Sequence, residues 1–237
     1  MKSNMLQEVD LLNGIRKLLS HNNIISISGE SGTGKTTLSL YLVGHLLTHQ
    51  KFFTDSCIWI QASELFPNNR LSQIFEVYPE GLEYIKYNIF IKPAKRPIVS
   101  FEEQKTIIEN LIDPATLLPP SLKYIVIDNV SHHLRYKLQH VTNNFSLLDR
   151  FYDEQLFPLI LFCRREHIHL ILIHEVTYSP TLDRVRPFFY KLYDRIDKVD
   201  IVLHKVFNSK KKTMEITYGQ FNWNFQYMLA NSGLEII

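Results

Sequence analysis

Eight consecutive residues of this chain are spaced for phosphate chemistry. Gly29-Glu30-Ser31-Gly32-Thr33-Gly34-Lys35-Thr36 satisfies G-x-x-x-x-G-K-[ST], in which successive backbone N–H groups converge on phosphate oxygens and a helix N-terminus adds a favourable dipole. Gly29, Gly32 and Gly34 permit the backbone torsions such a loop requires. In this arrangement Lys35 reaches the β- and γ-phosphates, the Thr36 hydroxyl ligates Mg²⁺, and Thr37 continues the lining. A second part of the same chemistry lies downstream, where the apolar run Tyr124-Ile125-Val126-Ile127 ends in Asp128. That carboxylate is expected to complete the Mg²⁺ shell with Thr36. Together these residues predict a site for ATP and Mg²⁺.

The loop must follow a strand and open a helix, and the flanking pattern supplies both. Short β-branched runs alternate with longer segments of helical period, the signature of a parallel sheet covered on both faces. The expected strands are Ile24–Ser28, Cys57–Gln61, Tyr87–Ile91, Tyr124–Asp128, Ile168–His174 and Val199–His204. The expected helices are Lys35–Thr48, Asn69–Tyr78, Phe101–Ile112, Phe145–Glu166 and Arg186–Arg195, with Pro187 in the first turn of the last one. After Val206 the pattern changes to a hairpin, Thr213–Tyr218 with Phe221–Tyr227, so a mainly parallel α/β sheet is expected to end in antiparallel strands.

Bulk properties narrow the classes. The 237 residues are 45% hydrophobic, enough for one well-buried α/β domain spanning 1–237. Twenty-six basic and 24 acidic residues leave a formal charge of +2, so no global field draws the chain to nucleic acid or an anionic membrane. The N-terminal residues lack the apolar core of a secretory signal, and apolar runs such as Phe157–Cys163 are too short to span a bilayer. Cys57 and Cys163 have no metal-site spacing and read as reduced, buried thiols. No binding to a membrane is expected, and the location is expected to be cytoplasmic. His132-His133 and the pair His167 and His169 fit no zinc pattern.

From about Leu11 onward, the order of several further motifs resembles the ATPase core of the RecA/RadA recombinases, most closely the RadB-like archaeal paralogues that lack an N-terminal helical domain. The stretch from Trp59 to Ile74, with Phe66, Pro67, Arg70, Leu71 and Ile74, is similar to the family's strand, acidic turn, F-x-P-x-R-L-x-x-I run and helix. Ile125-Val126-Ile127-Asp128-Asn129-Val130 resembles the family's Walker-B stretch, and His174-Glu175-Val176 stands where the family has N-Q-V. The resemblance implies a RecA-like fold and ATP binding, with a role in homologous recombination and DNA repair. It further implies that Arg70 packs beside the adenine, the alternative being a simple surface arginine at a helix start, and that His174 senses the γ-phosphate.

Departures from the pattern reshape the expected activity. The family's acidic turn places a glutamate where this chain has Ser63, with Glu64 one residue later. Catalysis would therefore rest on Lys35 and a displaced Glu64, and hydrolysis is expected to be slow or weak. Glu175 stands where a DNA-facing amide is expected, and Phe188-Phe189 replace a glycine pair, which points to an accessory paralogue in place of a strand-exchange enzyme. Single-stranded DNA, if bound, would meet Arg135 and Lys137 after the fourth strand and Arg184 and Arg186 after the fifth. A recombinase or paralogue is the expected protein partner, and self-association is a further expectation, with Phe52 or Phe53 as an anchor. The rival is a KaiC-like nucleotide-dependent interaction module without a DNA role.

Overall fold

The computed structural model describes residues 2–49, 54–140, 144–179 and 184–237, with 2–10, 144, 145 and 184 described by backbone alone. Phe52 and Phe53 lie outside the described residues. The chain opens with α1 (Lys2–Leu19), β1 (Ile24–Gly29), α2 (Lys35–Leu47), β2 (Ser56–Gln61), α3 (Asn68–Ile74), α4 (Pro79–Asn88), β3 (Ile89–Lys92) and α5 (Phe101–Ile112). It continues with β4 (Leu122–Asp128), α6 (His132–Leu138), α7 (Asn144–Phe151), a π-helical stretch Tyr152–Leu156 and α8 (Phe157–Arg165). Then come β5 (His169–His174), β6 (Val176–Ser179), β7 (Arg184–Pro187), α9 (Tyr190–Tyr193), β8 (Val199–Lys205), β9 (Lys212–Tyr218), β10 (Phe221–Ala230) and β11 (Gly233–Ile236).

Nine strands form one sheet in the order β11-β10-β9-β8-β1-β5-β4-β2-β3. The six from β8 to β3 are parallel, and β9 to β11 turn antiparallel. The loop-bearing strand β1 sits inside the sheet, paired with β5 on one side and β8 on the other. Its neighbours are apolar on both faces, as a doubly covered parallel sheet demands. Ile25, Ile27, Trp59, Val126, Ile171 and Ile173 pack into one core with α1 and α2. The alternate residues Ile24, Ile58, Ile60, Ile125, Ile127, Leu170 and Leu172 pack into a second core with α5 and α8. Because β1, β5 and β4 run parallel, the ends of β1 and β4 open on the same edge of the sheet, with the end of β5 between them.

Three expectations about elements need correction. The single helix expected over Asn69–Tyr78 is two, because Pro79 in the first turn of α4 starts a new helix, which in turn delays β3 to Ile89. Over Phe145–Glu166 the helix is continuous but widened around Tyr152–Leu156, where a π-helical turn precedes Pro158 and absorbs its missing N–H. The helix expected over Arg186–Arg195 is largely absent: Arg184–Pro187 pairs antiparallel with β6, and Phe189, at φ 60°, leaves helical geometry before the one-turn α9. Arg135 and Lys137, expected after the fourth strand, lie on the short helix α6. By contrast α5 begins where expected, with Ser100 Oγ accepting the Glu103 N–H at 3.0 Å and Glu103 accepting from Val99 N–H at 2.8 Å. Among the described residues no helix is long and apolar enough to cross a membrane.

Candidate nucleotide site

The ends of β1, β2, β4 and β5 frame a cleft of about 700 Å³ lined by Gly29, Glu30, Ser31, Gly32, Gly34, Lys35, Thr36 and Thr37. The same cleft is lined by Ser63, Glu64, Asp128, Asn129, Arg135 and Glu175. The sequence thus located most of the cleft, and the parallel register explains why: β2 pairs β4 with Gln61 opposite Asp128, so the turn after β2 and the end of β4 open on the same edge.

Thr36 and Asp128, distant in sequence, meet directly, with the Thr36 hydroxyl donating to Asp128 Oδ2 at 2.7 Å. Burial pushes the Asp128 carboxyl up to about 6, and Glu64 and Glu175 push the same way, against the Thr36 hydrogen bond and the Lys35 charge. Lys35 Nζ donates to the carbonyls of Gly29 at 2.9 Å and Glu30 at 3.1 Å, oxygens for which a phosphate would compete. Burial lowers the Lys35 pKa, while Asp128, Glu175 and Glu64 hold it up. Glu30, Glu64, Asp128 and Glu175 thus face only Lys35 and Arg135 among the lining residues. A triphosphate would add further negative charge. The pair of hard oxygens on Thr36 and Asp128 fits a divalent cation, which would offset both the buried carboxylate and the phosphates.

The displaced acidic turn is pinned to the Walker-B strand. Ala62 N–H and Ser63 N–H both donate to the Asp128 carbonyl, at 2.7 and 3.0 Å. Gln61 stabilises the turn from behind, its amide donating to Pro93 and Arg96 carbonyls and its oxygen accepting Phe66 N–H. Ser63 and Glu64 accordingly both line the cleft.

Three expected contacts do not reach it. Thr33 turns inward, buried, with its hydroxyl on the Glu30 carbonyl at 2.8 Å. His174 is fully buried and neither ring nitrogen has a hydrogen-bond partner; its ring meets Tyr193 edge-on at 4.3 Å, and burial lowers its pKa to about 3. A neutral, enclosed imidazole cannot contact a phosphate in the cleft. Arg70 is committed elsewhere: its guanidinium donates to Ala230 O at 2.6 Å, Asn231 O at 3.2 Å and Gly233 O at 3.3 Å, with Nε on Thr37 Oγ1 at 3.3 Å. It ties the β10–β11 turn to the start of α2.

The residues missed by sequence reasoning buttress the loop from outside. Tyr227 on β10 is fully buried and its hydroxyl donates to the Thr33 carbonyl at 2.7 Å. Leu229, two residues on, lies against Gly34: a Cβ there would sit 2.5 Å from Leu229 Cδ2, and Gly34 is at φ +94°. No local signal marks Tyr227 or Leu229, because the contact spans the whole chain.

The cations expected to meet DNA are dispersed. Arg135 faces the cleft and pairs with Glu175 at 2.7 Å. Lys137 is ion-paired to Glu102 and lies over the Phe101 ring. Arg186 pairs with Asp194 at 3.3 Å and lies over Tyr190. The side chain of Arg184 lies outside the described residues. Both cysteines are free and buried, and burial raises both thiols.

The family model described as "AAA domain" matches residues 16–172. No curated protein matches the chain. Among solved structures, the chain is similar to one titled "Crystal structure of the RadB recombinase", with TM-score 0.65 and 20% sequence identity over 90% of each chain. At that identity the likeness carries the fold: a RecA-like sheet with its helices and antiparallel edge.

Proposed function

The chain belongs to the AAA domain family, and from that premise we propose that it binds ATP with Mg²⁺ and acts as an accessory recombinase paralogue in homologous recombination and DNA repair. The observation that carries the nucleotide reading is the Thr36–Asp128 contact at 2.7 Å beside Lys35 in a cleft floored by the glycine loop. In this reading the loop N–H groups and Lys35 would hold the phosphates, and Thr36 and Asp128 would hold the cation, which would supply charge neutralisation. Glu64 is the candidate base for hydrolysis. Its turn is fixed by the two N–H bonds to Asp128, so its position one residue beyond the family's glutamate governs the rate, and turnover is slow.

The recombination role is supported by the fold shared with the RadB recombinase structure; single-stranded DNA and a recombinase or paralogue protein are the proposed partners, with self-association and a cytoplasmic location as further parts of the reading. One domain over 1–237 carries all of this. A second reading, a nucleotide-dependent interaction module like the KaiC relatives, is favoured by the ion pairs that occupy Lys137 and Arg186. The test is ATP turnover by the full chain with and without single-stranded DNA, beside Lys35→Ala and Glu64→Gln. DNA-stimulated turnover lost in both variants supports the recombinase reading with Glu64 as base. Tight ATP binding with no turnover and no salt-dependent DNA binding supports the interaction module. Failure to bind ATP sinks both.

A further inference from the structure

The edge of the sheet opposite the glycine loop carries the reverse charge pattern. Strand starts and helix C-termini collect there: Asn22 and Asn23 precede β1, Lys123 lies at the start of β4, His169 opens β5 and Asp197 precedes β8. Arg16 and Arg164 lie in the last turns of α1 and α8. These residues line two adjoining clefts of about 620 and 300 Å³ that share Leu19, Ser20 and His169. The larger holds Lys123, Arg164, His21 and His167, and the smaller holds Arg16, so the cations stand along one track. Asp197 is the single carboxylate among the lining residues, and its Oδ2 accepts from Asn22 Nδ2 at 2.9 Å. Of the acids nearby, Asp55 is buried within range of the Lys123 charge, and Glu166 pairs with Arg165 at 2.7 Å. The nucleotide cleft, by comparison, sets Glu30, Glu64, Asp128 and Glu175 against Lys35 and Arg135.

We propose that this track binds the phosphodiester backbone of a nucleic acid, at the edge of the sheet turned away from the nucleotide. Its cations are uncommitted. Among the described residues none of Arg16, Lys123 and Arg164 has a carboxylate within ion-pair distance, whereas Arg135, Lys137 and Arg186 each have one. Lys123 Nζ donates to the His167 carbonyl at 2.9 Å and Arg16 Nη1 to Asn13 Oδ1 at 3.2 Å, which leaves each with further N–H groups to offer. The lining suits phosphate oxygens. Leu19 is the one apolar residue of the larger cleft, so an acidic peptide would find no pocket there for apolar side chains. The shape is extended, two clefts end to end, and matches a chain of repeated charges better than a lone phosphate. Helix C-termini alone would repel an anion, and Arg16 and Arg164 offset that field. This inference rests on the reading of DNA as a partner and is independent of the nucleotide site.

The test is fluorescence anisotropy of the full chain with a labelled single-stranded oligonucleotide and with a duplex of the same sequence, across a range of salt. Lys123→Gln combined with Arg164→Gln is expected to weaken binding by roughly tenfold at low salt. The slope of log K against log salt should shrink by about 1.4 for a single strand or about 1.8 for a duplex, two phosphate contacts being lost. Arg164→Lys keeps the charge and should bind as the native chain does. ATP affinity and the urea midpoint should be unchanged in the double variant, because these side chains line a different cleft. Should the midpoint fall, Arg164→Gln alone, at an exposed position, should give half the change in slope. A native chain that binds DNA, with affinity and slope unaltered in the double variant, overturns the track and leaves its cations as partners of the helix ends. No DNA binding by the native chain at low salt sinks the partner reading and the track together. Calorimetric titration with pyrophosphate separates a small-anion site: heat that disappears in the double variant, with no oligonucleotide bound, would overturn the nucleic-acid assignment. Poly-glutamate displacing the oligonucleotide at equal charge would overturn it too.

Discussion

Two buried tyrosines offer the sharpest test of how the phosphate loop is held. Tyr227 and Tyr193 are both almost wholly enclosed, at 0% and 1% exposure, but their hydroxyls differ. Tyr227 donates to the Thr33 carbonyl at 2.7 Å. The Tyr193 hydroxyl has no partner at hydrogen-bond distance, with Ser131 as its polar neighbour. Changing either to Phe removes one oxygen and leaves the ring packing in place, so the cavity term is negligible. For Tyr227→Phe the loss is one hydrogen bond plus the cost of leaving the Thr33 carbonyl unpaired in a dry site, about 1–3 kcal/mol. For Tyr193→Phe a buried hydroxyl whose polar neighbour is Ser131 is removed, and the change is expected to lie within about 1 kcal/mol of neutral. Urea unfolding reads both, as a midpoint shift at constant slope. Tyr227→Phe should also weaken ATP binding. The variant populates the loop's cradle shape less, and the loss is bounded by the stability term, about tenfold for each 1.4 kcal/mol. Equal stability of the two variants, or a Tyr227→Phe variant that binds ATP as the native chain does, would show that β10 does not shape the loop.

Further outcomes follow from the same geometry. Arg70→Ala is expected to cost about 1–3 kcal/mol in urea unfolding, since it removes the donor from the part-buried Ala230 and Gly233 carbonyls of the β10–β11 turn; a loss confined to discrimination between ATP and GTP, with stability intact, would instead return Arg70 to the base. His174→Leu should leave ATP affinity unchanged and stability equal or higher, because the imidazole is buried without partners, and a large loss of affinity would restore it as a phosphate sensor. Stability should fall on acidification from pH 6.5 to 4. Burial lowers His45 and His169 from 6.5 to about 4 each, so their contribution is complete above 6.5 and is lost as pH falls through that window. Asp128, raised from 3.8 to about 6, works in the opposite sense, its contribution being present below 3.8 and lost as pH rises through 6. His174, lowered by burial to about 3, works with them, so three histidines stand against Asp128 and the net effect is loss, on the order of 2–5 kcal/mol by pH 5. A flat urea midpoint between pH 7 and 5 in the absence of nucleotide would contradict this balance.

What the sequence made legible was whatever a short window can encode. The glycine loop, its strand and its helix are contiguous, and the apolar run ending at Asp128 is unambiguous because β4 is buried on both faces. Helix α5 was legible over Phe101–Ile112 for the same reason, its helical period being local. Helical period over Arg186–Arg195 misled because Phe189, Leu192, Tyr193 and Ile196 repeat as a helix would, while pairing of Arg184–Pro187 with β6 overrides local preference. His174 misled differently. A histidine at the end of a central strand is equally compatible with a site and with a core, and only the enclosure by Tyr193 decides between them. Tyr227, Leu229 and the carbonyls held by Arg70 were illegible because their partners lie at the other end of the chain.

That long-range wiring has a consequence for how the site works. The loop's floor comes from β1, but its outer wall is β10, and Arg70 fastens the β10–β11 turn to Thr37 in the first turn of α2. A phosphate loop held only by its own glycines would reorganise on binding and spend binding energy doing so. Here Tyr227, Leu229 and Arg70 fix three points around residues 33–37 before any ligand arrives. The β6–β7 pair, by contrast, meets the cleft through side chains at its ends: Glu175, just before β6, takes Arg135 at 2.7 Å and Asn129 at 3.0 Å, and Phe188, just after β7, stacks on the Arg135 guanidinium.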